Sequence, residues 1–168
     1  MLIKGLVDED FVNYKLPAMY IATSTCSFKC DKESGKKICQ NSQLATQPTH
    51  DVDDDLLVKR YMQNPITKAI VFGGLEPFDS YVDLFWIINN FRTRTMDDIV
   101  IYTGYTKEEL QNMILSSSDD NINVYNGLRA FKNIIVKFGR YIPDQNPHFD
   151  EILGVYLASD NQYAERVS

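Results

Sequence analysis

Short apolar, β-branched runs recur along this chain, and most of them stop at a glycine or a cysteine. Ala18–Thr25 runs straight into Cys26, Lys68–Gly74, Asp98–Gly104 and Asn133–Gly139 each end in glycine, and Gly154–Ser159 makes a fifth run. Runs of this length and composition are read as strands. Helical patterns lie between them. Asp51–Asp55, followed by Leu56, Leu57, Arg60 and Tyr61, predicts a helix with acids in its first turn, where the dipole favours them. Tyr81, Leu84, Phe85 and Ile88 share one helical face behind a cap from Asp79 or Ser80, and Val82, Trp86 and Ile87 widen it into a well-buried helix. Thr106 and Glu109 form a capping box that opens another helix. Between Ser116 and Arg129 the pattern is weak, a loop with a short helix. Strands alternating with helices predict the α/β class, with a largely parallel sheet. In such folds ligands gather at the carboxyl ends of the strands, and here those ends carry Cys26, Gly73–Gly74, Thr103–Gly104 and Gly139.

The 168 residues suit one domain, with a polar, aperiodic stretch from Cys26 to Pro48 as its longest loop. Loops of that length are usually functional or disordered. With 44% hydrophobic and 24% charged residues the composition is that of a globular protein, not a disordered one. A net charge of -6 and a pI near 4.9 argue against a nucleic-acid partner. No apolar run approaches the ~20 residues that span a bilayer. The opening Met1–Asp10 turns acidic too soon for a signal peptide, so a cytoplasmic address is expected.

Three cysteines, an odd number within one short window, do not make a secreted disulfide framework. In a reducing compartment such a cluster binds metal or reacts. The spacing, Cys26-x3-Cys30-x8-Cys39, leaves alternatives open. Three thiolates with His50 complete a closed zinc site. Three thiolates alone suit a 4Fe-4S cluster with one iron free, and unliganded thiols are the third reading. The stretch Gly73-Gly74-Leu75-Glu76-Pro77 adds a close backbone approach and a carboxylate for an ammonium group; its plain alternative is a strand-to-helix turn with a surface glutamate. Tyr102, Tyr105, Tyr141 and Tyr156 are expected to pack in the core and His50 and His148 to be plain surface or loop histidines, while Arg140 is a candidate to meet a carboxylate of a bound cofactor or partner. Nine Phe, ten Tyr and one Trp leave room for an aromatic docking patch.

The three-cysteine loop after the first of these strands, followed by Gly73-Gly74-Leu75-Glu76-Pro77, resembles the radical S-adenosylmethionine superfamily. Three later blocks, Ile101–Thr106 with Glu108–Leu110, Phe138–Ile142 and Ser159–Gln162, are similar to those of the activating proteins of anaerobic ribonucleoside-triphosphate reductases. The likeness runs from about Gly5 to Arg166. It implies one radical S-adenosylmethionine domain over residues 1–168, built as a partial (β/α) barrel with an extended cysteine loop at 26–48. It also implies a 4Fe-4S cluster on Cys26, Cys30 and Cys39, whose fourth iron takes the amino and carboxylate groups of S-adenosylmethionine. Gly73, Gly74 and Glu76 would hold the amino group. Ile38, where the family usually has an aromatic residue, would lie near the adenine, and Thr103 and Gly104 would line the same pocket.

The implied activity is one-electron cleavage of the sulfonium, with hydrogen abstraction from a glycine of the reductase. A small donor protein such as flavodoxin would supply the electron. The cofactor carries the hard step, so no side-chain acid or base is needed beyond the cluster ligands. An oxygen-sensitive iron fits an anaerobic cytoplasm. One departure is plain: the family pattern is Cys-x3-Cys-x2-Cys, and here the second gap is six residues longer, within the polar, glycine-containing Asp31–Lys37. Lengthening a loop costs little closure entropy. The alternatives are a radical S-adenosylmethionine enzyme acting on another peptide or small molecule, and a non-catalytic, zinc-stabilised binding module.

Overall fold

The computed structural model describes residues 1–115 and 123–168. Four of its strands are almost wholly apolar because both faces are covered, as parallel strands require. They are β2 (Ala18–Thr23), β4 (Ala69–Gly74), β5 (Asp98–Tyr102) and β6 (Ile134–Phe138), paired in parallel in that spatial order. Register aligns Ala18 with Ala69 and Ala69 with Asp98. Strand β1 (Leu2–Asp10) runs antiparallel beside β2, the short β3 (His50–Asp51) lies outside β1, and β9 (Tyr163–Arg166) runs antiparallel beside β6. The order is therefore β3-β1-β2-β4-β5-β6-β9. Where the alternation predicts a largely parallel sheet, the structure has a four-strand parallel core inside a mixed one, antiparallel at both margins.

The helices gather on one face. These are α3 (Asp54–Gln63), α4 (Tyr81–Arg92), α5 (Lys107–Asn112) and α6 (Val124–Arg129). Leu57, Leu84, Ile88, Phe91, Leu110 and Leu128 bury themselves against Ile70, Phe72, Ile99, Ile101 and Val136. Phe91 meets Tyr61 and Phe72 edge-on, at 5.6 and 6.4 Å, contacts worth about 1 kcal/mol each. The other face carries smaller residues, Ala18, Ala69, Val71 and Val100, under Tyr14, Leu153 and Leu157. A separate hairpin, β7 (His148–Asp150) with β8 (Val155–Leu157), lies outside the main sheet. The run expected as a fifth strand of the parallel sheet thus belongs to this hairpin.

Several boundaries differ from the sequence expectation. Asp51 pairs with Leu2 in β3, and α3 begins at Asp54, with the Asp53 carboxylate accepting the Asp55 N–H at 2.8 Å. Ser80 stands before α4 but makes no side-chain cap, and Asp79 turns toward the cysteine loop instead. Helix α4 buries only its Leu84, Ile87, Ile88 and Phe91 side; Trp86, 64% exposed, and Val82 face solvent, because one sheet can cover only one side of a helix. The capping box on α5 is present in both directions. Tyr105 is buried, Tyr102 and Tyr141 are half-buried, and Tyr156, 74% exposed, is no core residue: its ring meets Phe149 edge-on within the β7–β8 hairpin. His50 is exposed on β3, and His148 is half-buried in β7. The weak stretch after Ser116 lies outside the described residues as far as 122, with α6 following it. No helix among the described residues is long and apolar enough to cross a membrane.

Candidate functional site

The carboxyl ends of β2, β4, β5 and β6 open into a cavity of about 340 Å³. That lies within the range of small-molecule sites, about 300–1,000 Å³. All three cysteines line it, each half-buried and none in a disulfide. Cys26 stands three residues beyond Thr23, the end of β2. Phe28, at φ 53 in the left-handed region, turns the chain sharply into α1 (Lys29–Ser34), which carries Cys30 in its first turn. The Phe28 N–H donates to Cys26 Sγ at 3.2 Å, and the Ser27 N–H donates to Asp79.

The long gap before Cys39 is closed by one side chain. Asp31 Oδ1 accepts the N–H groups of both Ile38 and Cys39, each at 2.8 Å. The intervening residues 32–37 are exposed, pushed out of the ring that this carboxylate closes. Beyond Cys39, α2 (Ser42–Ala45) is preceded by Asn41, whose amide donates to the Gly74 carbonyl at 2.6 Å. The extended loop therefore reaches the end of β4.

Burial pushes the Cys26 thiol up to about 11, with the nearby Glu76 and Asp79 carboxylates and Cys39 adding to it. Burial also raises Cys30, with Cys39 reinforcing and Arg140 opposing. Thiols held this way are poor free nucleophiles, whereas a metal deprotonates its coordinating thiol outright. Among the described residues no three His, Cys, Asp or Glu side chains stand close enough to hold a single metal ion. His50 pairs with Ile3 at the sheet margin and is not among the lining residues. Three free thiols on the wall of one cavity are the kind of donor set that an iron–sulfur cluster takes.

Beside the thiols lies a wired carboxylate. Glu76 is only 9% exposed, so it is no surface residue. It takes the Thr103 hydroxyl at 2.7 Å, the Gly104 N–H at 2.8 Å and the Phe78 N–H at 3.2 Å. Burial nevertheless outweighs these bonds and lifts its pKa to about 7, Asp79 contributing. Glu76, Thr103 and Gly104, three residues singled out separately in the sequence, are one hydrogen-bonded unit. Gly74 lines the cavity at φ 82, where a Cβ would stand 2.9 Å from both Ala22 and Leu44. Two expected residues do not reach the cavity wall. Gly73 is buried beneath Tyr20, whose hydroxyl would lie 2.9 Å from a Cβ there, and Ile38 is half-buried beside the lining residues Cys39 and Gln40.

Sequence reasoning missed Lys137. It lines the cavity, is 7% exposed, and donates to the Gly139 carbonyl at 2.7 Å. Burial lowers its pKa to about 8, opposed by Glu76 and Cys30. The signal was present: Lys137 is the one charge inside an otherwise apolar strand. Tyr20, Tyr102, Tyr156 and Gln162 are among the other lining residues. Arg140 does meet carboxylates, but the chain's own. Its guanidinium forks onto Glu109 at 2.9 and 2.8 Å and reaches Glu33 at 3.2 Å. That pairing pushes Glu109 down to about 2. Lys29, one residue before Cys30, sits 3.6 Å from Glu109 and over the Tyr105 ring.

A family model described as a 4Fe-4S single cluster domain matches residues 18–146, about three quarters of the chain. The match begins with β2 and takes in all three cysteines, Glu76, Thr103, Gly104, Lys137 and Arg140. No curated protein and no solved structure matches the chain.

Proposed function

The chain belongs to the family of 4Fe-4S single cluster domains, and we propose that this iron–sulfur protein is a radical S-adenosylmethionine activase, which generates a glycyl radical on an anaerobic ribonucleoside-triphosphate reductase. One observation carries the reading: three free thiols and a buried, hydrogen-bonded carboxylate share the wall of one cavity. Cys26, Cys30 and Cys39 would hold the cluster and leave its fourth iron without a protein ligand. When bound, the cluster supplies one electron to the sulfonium of S-adenosylmethionine.

The chain's own groups do the rest. A carboxylate whose pKa is raised by burial is short of a cation, and the ammonium of the methionine moiety supplies it at Glu76. Lys137 offers the opposite charge for a carboxylate, so the two suit a zwitterionic headgroup. Gly74 leaves room at the end of β4 where any side chain would collide with Ala22 and Leu44. Thr103 and Gly104 hold Glu76 in place rather than reacting. The four-strand parallel core, with helices on one face and the cavity at its carboxyl ends, is read as a partial barrel of the radical S-adenosylmethionine type. The electron donor in this reading is a small protein such as flavodoxin, and the address is the cytoplasm.

The test is anaerobic reconstitution. About four irons per chain and a brown colour are expected. Low-temperature electron paramagnetic resonance of the dithionite-reduced protein should change on adding S-adenosylmethionine, with 5′-deoxyadenosine formed. A doublet should then appear on the reductase. A colourless protein with one zinc would establish the binding module instead. Cofactor cleavage without a doublet on the reductase would point to a different peptide or small-molecule substrate.

A further inference from the structure

The extruded segment between the second and third cysteines differs in charge from the rest of the molecule. Lys32, Lys36 and Lys37 are exposed, and none of them joins an ion pair among the described residues. The two acids nearby are committed elsewhere. Asp31 is bonded to the Ile38 and Cys39 amides, and Glu33 turns back to Arg140. Three free cations thus sit within six residues of a chain whose net charge is -6.

The protrusion is also built. Ser34 Oγ lies 2.8 Å from the Lys36 carbonyl and 3.2 Å from the Asp31 carbonyl, either of which can take its one O–H, and accepts the Lys36 N–H at 3.1 Å. Gly35, at φ 67, makes the turn with nothing within 4 Å of where a Cβ would stand. Its two ends are Cys30 and Cys39, so whatever lands on it lies one short loop from two of the three thiols.

We propose that Lys32–Lys37 is the docking surface for an acidic one-electron carrier protein, an inference that rests on the cluster reading. One electron leaves the carrier and enters the cluster, and no bond is made or broken. Electron-transfer encounters use small, weak interfaces, and opposite charge raises their on-rate in a salt-dependent way. A basic tip on an acidic body meets both needs: it draws the carrier to the cysteine loop and repels it from other faces.

The test uses the full reconstituted chain and reduced flavodoxin, of net negative charge, as the probe. Cluster reduction is followed by stopped-flow absorbance over a range of ionic strength. Combining Lys32→Gln, Lys36→Gln and Lys37→Gln should slow reduction by flavodoxin about tenfold at low salt and flatten its salt dependence. Reduction by dithionite and the iron content should not change, and Lys→Arg at all three positions should keep the wild-type rate. Unaltered flavodoxin kinetics in the Gln variant overturn the proposal. So does an equal slowing with dithionite, which would make the segment part of the cluster's own support. A wild-type chain that takes up no iron defeats the cluster reading itself, and the docking surface with it.

Discussion

Glu76, Thr103 and Gly104 stand at the ends of β4 and β5, next to residues with no exposed surface, and their mutual bonds are continuous with the sheet. Cys26, Cys30 and Cys39 face them from a loop whose helices α1 and α2 bury no residue at all. The carboxylate side of the cavity is positioned by the core, whereas the thiol side is held by individual polar contacts: Asp79 at Ser27, Asp31 at Cys39, Asn41 at Gly74. Each such contact is worth about 1 kcal/mol, a core position several times that. Substitutions on the carboxylate side should therefore register in the stability of the fold, while substitutions on the thiol side should spare the fold and lose the metal.

The sharpest way to break this comparison is Cys39→Ala. Iron should fall from about four per chain to near none, with cofactor cleavage lost, while the metal-free chain unfolds within about 1 kcal/mol of wild type in urea. Retained iron and cleavage would remove Cys39 from the ligand set. A large loss of stability would show that the loop does belong to the core. Gly74→Ala is the converse case. Its positive φ and two 2.9 Å collisions should cost about 2–4 kcal/mol, read from the urea midpoint.

The pH dependence of the metal-free chain should follow next in size. Glu76 has a folded pKa of about 7 against an ordinary 4.5, so the folded state holds a proton that the unfolded state has released. Its burial is therefore tolerated at low pH, and stability is lost as pH rises from about 4.5 through 7. The loss is of the order of 3 kcal/mol. Glu76→Gln should flatten that part of the curve, and an unchanged slope would mean the carboxylate is not desolvated. The smallest effect is expected for Asp31→Ala. The metal-free chain should lose about 1 kcal/mol, read from urea unfolding, because two backbone N–H bonds go with the carboxylate. A chelator should strip iron several-fold faster, and Asp31→Asn, which keeps one acceptor oxygen, should restore most of the retention.

What could be read from the sequence follows the same division. The parallel strands are legible because covering both faces demands near-continuous Val, Ile and Phe, as in Ile70–Phe72. Glu76, Thr103 and Gly104 are legible as strand ends, although only the fold shows that they bond to one another. Strand β1 is not legible: Leu2–Asp10 carries four charges and is mostly half-buried at the margin, so its alternation is blurred. Strand β9 has four residues, two of them charged, and gains its identity only by pairing with β6. Trp86 misled because composition shows how apolar a helix is, and not which side the sheet will reach. Asp31 could not be identified at all, since its role exists only once Ile38 and Cys39 have come back to it.

The parts of the cavity are made in an order that runs against its chemistry. The thiols belong to the first 39 residues, yet Glu76, Thr103, Lys137 and Gln162, which shelter them, are translated afterwards. A nascent chain thus carries bare sulfur until those residues emerge, and a chain halted before β9 leaves one margin of β6 unpaired. Iron inserted in that interval would meet a site without walls, and an oxidant could link neighbouring thiols before the sheet is finished. Supplying the metal after chain completion, under reducing conditions, is what this topology demands of anyone producing the protein.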